Sequence, residues 1–151
     1  KKRPSYIGCY TSENFKDFQF FVYWARAQIG YYNDGWHLDK DLLVKGNKQY
    51  SEDTCVFIPN IINNLLNTRK ASRGNWPVGV TFDERKQRFV AQISRGCEHD
   101  YIGSYNNPRD AFIAYKREKE LYAKQLANKY KDQVDTRVYD ALMNYTVEIT
   151  D

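Results

Sequence analysis

Between Trp76 and Tyr115 the spacing of apolar residues changes from two to three and four. Phe89, Ala91 and Ile93 alternate with Arg88, Val90, Gln92 and Ser94, the repeat of a half-buried strand. Val78–Phe82 and Asp100–Tyr105 are shorter β-type runs on either side, so three strands are expected in succession. From Pro108 to about Lys129, Ala111, Ala114, Tyr115, Glu118, Leu121, Tyr122 and Gln125 form one helical stripe, with alanines where a helix must approach a sheet closely. A three-stranded antiparallel sheet packed on a long helix has one covered face and one open face. Phe89, Ala91, Ile93 and Ile102 are assigned inward. Arg88, Val90, Gln92, Ser94 and Tyr101 are assigned to the open face.

Upstream, Ser12 is placed to cap a helix over Glu13–Ile29 with Phe15, Phe18, Val22, Ala25 and Ile29 as its apolar stripe and Gly30 as its stop. Tyr31–Gly35 reads as a loop with an Asp-Gly turn. A strand over Trp36–Leu42, a turn at Lys45–Lys48, a short β-type run at Thr54–Ile58 and a helix opened by Pro59 and ending near Asn67 follow. Thr68–Asn75 carries three cations and no apolar residue larger than alanine, the mark of a basic linker. The predicted organisation is α+β: residues 1–67 with an N-terminal helix and a small ββα module, a linker at 68–75, the sheet-and-helix module at 76–131, and a final helix (Thr136–Tyr145) and tail at 132–151.

Composition narrows the function classes. With 42% hydrophobic and 16% aromatic residues, the chain has ample material for a core and does not read as disordered. The excess of 23 Lys and Arg over 19 Asp and Glu permits nucleic-acid binding without the charge of a histone-like tail. No run approaches the roughly 18 apolar residues of a membrane span, and no secretory core opens the sequence. The chain starts Lys1-Lys2-Arg3-Pro4 without a methionine, which leaves room for an upstream segment. Cys9, Cys55 and Cys97 are far apart and lack metal-finger spacing, as expected of reduced thiols in a cytosol.

Gly79-Val80, Arg88–Ile93, Tyr101–Tyr105 and Asp110–Tyr115 together resemble the plant APETALA/ethylene-response-factor DNA-binding domain over about forty residues. That family lays the open sheet face in the major groove of double-stranded DNA. The resemblance implies contacts from Thr81, Arg85, Arg88, Gln92, Ser94 and Tyr101, and the basic linker is expected to lay Arg69, Lys70 and Arg73 on the phosphate backbone. Thr81, Asp83, Ser94, His99 and Tyr101 stand where plant members carry arginine or tryptophan, so the plant base preference is not implied. Taken singly, Arg85, Lys86 and Arg88 also suit a solvated turn, and Tyr101 suits packing. Interleaved Lys116, Arg117, Glu118, Lys119, Glu120 and Lys124 suit a salt-bridged solvent face.

Leu38–Asp41, Gly46-Asn47 and Thr54–Asn64 resemble the ββα-metal core of HNH (His-Me finger) nucleases. The resemblance places Asp39 and Asn63 on the metal ligands, implying magnesium, Lys40 on the general-base histidine and Thr54 on the asparagine that orients it. Hard oxygen donors suit such a cation. Lysine is a poor proton acceptor near neutrality. His37, two residues before Asp39 and therefore on its face of the strand, is the local substitute. The competing reading makes Asp39-Lys40-Asp41 a solvated charged strand end.

An HNH-like module followed by an APETALA-type module resembles phage-encoded homing endonucleases over nearly the whole chain. This implies a DNA-acting protein of the bacterial host cytoplasm. Two alternatives stay open: a decayed nuclease core acting by occupancy, as a repressor, decoy or anti-defence factor, and a surface that binds a host protein.

Overall fold

The computed structural model describes residues 7–67, 74–96 and 98–151, a mixed α and β architecture with five helices and three small sheets among the described residues. Strand β1 (Tyr10–Thr11) leads into α1 (Glu13–Lys16), capped by Ser12 Oγ, which accepts from the Phe15 amide at 3.3 Å. The expected helix to Ile29 breaks at Asp17. That carboxylate caps α2 (Phe18–Arg26) by accepting from the amides of Gln19 and Phe20 at 2.8 and 3.2 Å. The break changes which residues face inward. Phe15 and Ala25 are buried as expected, whereas Phe18 and Ile29 are exposed. Phe21 and Trp24 take their place, with ring centroids 5.2 and 4.7 Å from Phe15.

Strand β2 (Trp36–Asp39) runs antiparallel to β4 (Val56–Pro59), pairing Trp36 with Pro59 and Asp39 with Val56, and α3 (Asn60–Leu66) follows directly. β2 is shorter than the expected Trp36–Leu42 because Asp39 turns the chain: its Oδ1 accepts from the amides of Asp41 and Leu42 at 3.0 and 2.7 Å. Within the β2–β4 connection, Asn47 donates to the carbonyls of Lys40 and Gln49 at 2.7 and 2.8 Å and accepts from the Gln49 amide. This clamp sets β3 (Gln49–Tyr50) parallel to β1. Two residues are too few to show a period, so neither strand is visible in the sequence pattern.

The third sheet has the order β5 (Val80–Asp83), β6 (Arg88–Arg95), β7 (Glu98–Tyr105), antiparallel throughout, with an irregularity between Ala91 and Gln92. Asn107 caps α4 (Pro108–Tyr130) by accepting from the Asp110 amide at 2.8 Å. Helix α5 (Thr136–Met143) packs on α4. Ala91 and Ile93 of β6 are buried on the α4 side, as their alternation requires, and Ala111 is fully enclosed where helix and sheet meet.

The stripe on α4 departs from expectation. Ala111, Tyr115 and Tyr122 are buried, but Leu121 and Gln125 face outward, while Phe112, Lys119 and Leu126 are buried. The buried face is thus centred nearer Tyr115, Lys119 and Leu126. Lys119 is enclosed rather than part of a solvated charged face. Val56, Ile58, Ile62 and Leu65 share one continuous core with Val80, Ala91, Ile93, Leu126, Val138 and Leu142. No helix among the described residues is long and apolar enough to cross a membrane.

Candidate functional site

The ββα unit opens on a cleft of about 1050 Å³. His37, Asp39 and Lys40 line it from β2 and its end, Asn63 from α3. Asp39, Lys40 and Asn63, to which the HNH resemblance points, therefore share one cavity with His37. Alternation explains His37 and Asp39, and the antiparallel return through β4 brings α3 across the cleft. His37 is exposed, Asn63 half-buried, and Asp39 and Lys40 are buried, so the first two residues of the charged triplet are not a solvated strand end.

Burial pushes the Asp39 carboxyl up to about 6, and the neighbouring Asp41 carboxylate adds to the rise, against the lowering effect of the Leu42 and Asp41 amides. Beside it, Lys40 Nζ pairs with Asp41 at 3.1 Å and lies 5.7 Å from the centroid of the Tyr50 ring. Thr54 does not reach Lys40 in its bonding: its hydroxyl donates to the Gln49 carbonyl at 3.2 Å and shares a hydrogen with Ser51 at 2.8 Å. The orienting role expected for Thr54 is replaced by one in the turn before β4. Cys55 is fully buried, and its thiol is pushed up to about 11 by that burial.

Asp39 is crowded by a second carboxylate in a partly desolvated setting, and a divalent cation relieves that kind of repulsion. The donor set, a carboxylate with one oxygen already accepting two amides plus the Asn63 amide, suits a hard cation that keeps several waters. Among the described residues no three His, Cys, Asp or Glu side chains form a metal-holding group.

On the sheet, Thr81, Gln92, Ser94 and Tyr101 are exposed. Register places Gln92 opposite Tyr101 and Ser94 opposite His99, with Ser94 Oγ and His99 Nδ1 2.9 Å apart. Arg85 is exposed in the β5–β6 turn, which Asp83 organises by accepting from the amides of Arg85 and Lys86. Arg88 differs from the open-face expectation. It is half-buried, its Nη2 donates to the Ser104 carbonyl at 2.9 Å, and its Nε is buried without a hydrogen-bond partner. Much of its guanidinium fork is committed to the sheet. Arg69, Lys70 and Arg73 lie outside the described residues, as does Cys97.

Sequence reasoning missed two sets of residues. Lys45 and Asp151 line the same cleft and are paired at 2.8 Å, 106 residues apart, a contact with no local signature. Arg95, at the end of β6, bridges Asp100 at 3.4 Å and Glu118 at 2.9 Å beside Tyr122. Its position just beyond the alternating run was the available clue.

Comparison with models of known protein families, with curated proteins and with solved structures finds no match.

Proposed function

We propose that the protein acts on double-stranded DNA, reading it with the open face of β5–β7 and hydrolysing a phosphodiester in the ββα cleft. The observation that carries this reading is the shared cleft of His37, Asp39, Lys40 and Asn63. Gln92, Ser94 and Tyr101 supply hydrogen-bonding and stacking groups on a surface that the helix leaves uncovered. Action in the cytoplasm of a bacterial host, as a phage-encoded endonuclease or nickase, goes with the same reading.

Asp39 and Asn63 would hold magnesium, which when bound polarises a phosphate oxygen and stabilises developing charge. His37, on the Asp39 face of β2, takes the proton from the attacking water. The two amides on Asp39 Oδ1 fix the carboxylate before any ligand arrives.

One observation favours a second reading, occupancy of DNA without cleavage. Lys40, at the position of the HNH family's base, is buried and tied to Asp41 at 3.1 Å. If His37 does not serve, the cleft binds phosphate but does not cut.

The experiment is incubation of the full chain with supercoiled DNA, with and without magnesium, alongside His37→Ala and Asp39→Ala. Magnesium-dependent nicking lost in both variants supports the hydrolytic reading. Binding without nicking in any sample supports occupancy. Neither binding nor nicking overturns both.

A further inference from the structure

Residues 144–151 fold back along α4 and form one wall of the cleft, through Asn144, Tyr145, Thr146 and Asp151. The segment is pinned in the middle. Val147 is buried, its carbonyl accepts from Lys116 Nζ, and its amide donates to Glu120 Oε1 at 3.0 Å. Beyond that pin the chain turns on itself: the Glu148 amide donates to Asp151 Oδ2 at 2.8 Å, and the Asp151 amide donates to the Glu148 carbonyl at 3.1 Å. The turn delivers the Asp151 carboxylate to Lys45 Nζ on the opposite wall. Lys45 also donates to the Thr146 carbonyl at 3.5 Å. Both ends of this closure are thus internal: one cation from the β2–β4 connection and one anion from the strap.

We infer that residues 144–151 are a strap whose Asp151 carboxylate holds Lys45 where a nucleic-acid phosphate would otherwise sit, so that a DNA backbone entering the cleft must displace it. This rests on the reading of the cleft as a phosphodiester site. A phosphate oxygen and a carboxylate oxygen make the same charge-assisted bond to an ammonium, so they compete for Lys45. The Lys45 side chain is more than half exposed, leaving an approach for the incoming anion, whereas the Asp151 side chain is only 15% exposed. Release moves the turn beyond Val147 and leaves the Val147 pin in place.

The test is a fluorescence titration of a short duplex DNA with the full chain, repeated over a series of salt concentrations. Asp151→Asn should bind about two- to fivefold more tightly, because the Lys45 end of the pair is open to solvent, which keeps its strength small. Its salt slope should match the parent's, because Lys45 meets the phosphate in both bound states and only the cost of displacing Asp151 is removed. Lys45→Ala should flatten the slope by about 0.9 through loss of that phosphate contact, and the double variant should bind more weakly than Asp151→Asn. Parent-like affinity in Asp151→Asn would sink the strap, as would an unchanged slope in Lys45→Ala. If the parent binds no DNA, the reading of the cleft falls as well, so the two failures are distinct. Should Asp151→Asn melt early, the Glu148 and Asp151 amide resonances of the parent decide. They should shift on adding DNA while the Val147 amide stays, and unmoved resonances overturn the inference.

Discussion

The ring of Tyr115 on α4 occupies the space that a side chain on Gly79 would need. A Cβ at Gly79 would stand 2.1 Å from a ring carbon, and the residue's φ of +75° already favours glycine. The start of β5 and the middle of α4 therefore meet through one absent side chain, which sets how closely the helix approaches the sheet.

Gly79→Ala should accordingly lower stability by about 2–4 kcal/mol, combining backbone strain with overpacking. Urea denaturation of the two proteins measures it. In Gly79→Ala/Tyr115→Ala the overpacking part should vanish, so the two losses should not add. Additive losses would mean the contact is not what the glycine serves.

Asp39 holds its proton in the fold up to about pH 6, whereas the unfolded chain releases it near 3.8. Between those values the native state binds more protons, so its stability falls as pH rises. Asp39→Asn keeps an oxygen for the two amides and removes the charge. Relative to that variant, the parent should lose up to about 3 kcal/mol between pH 4 and pH 7. A constant difference across that range, followed by urea melts, would count against the assignment.

Lys119 behaves in the opposite sense. Burial pushes its ammonium down to about 8 from 10.5, with Asp151 partly opposing the shift. From about pH 8 to 10.5 the unfolded state holds the proton that the native state has released, so stability rises with pH. Lys119→Met should be more stable than the parent at pH 7, by up to about 3 kcal/mol, and the gap should close towards pH 10.5. Thermal melts at the two pH values check both points.

Gln92 and Tyr101 are exposed neighbours across β6 and β7, while Arg88 is tied to the Ser104 carbonyl. Gln92→Ala should weaken binding to a preferred DNA by about 1–3 kcal/mol and relax the choice at one base position, leaving the fold unchanged. Tyr101→Ala should weaken binding with less effect on base choice. Arg88→Ala should cost fold stability too, since it removes a bond within the sheet. Titrations paired with circular dichroism separate these outcomes.

The strand alternation was legible because β6 is long enough to show it: Ala91 and Ile93 are buried, and Gln92 and Ser94 are exposed. Legibility failed where one residue outweighs the period. Asp17 reads as a member of a helical repeat, yet a carboxylate that can take two amides starts a new helix instead. On α4, Lys119 reads as solvent-facing, yet its side chain is buried and its ammonium lies over the Tyr115 ring, 5.6 Å from the centroid. In the cleft, Asp39, Lys40 and Asn63 come from the resemblance to the HNH core, and His37 from strand alternation beside Asp39. Lys45 with Asp151 could not be found in either way, because only the return of the chain after α5 brings them together.

The buried side chains of the ββα unit and of the sheet with its helix belong to one cluster, and this governs how any functional assay must be interpreted. Regions that share a core melt cooperatively, and a ligand that binds the native form anywhere raises the stability of all of it. DNA on β6 and β7 would thus protect Ile62 and Val56 from unfolding without touching them. A damaging change at Ile58 would weaken DNA binding just as remotely, by depleting the folded population. Lost activity alone assigns no residue to the chemistry; only loss at equal native population does.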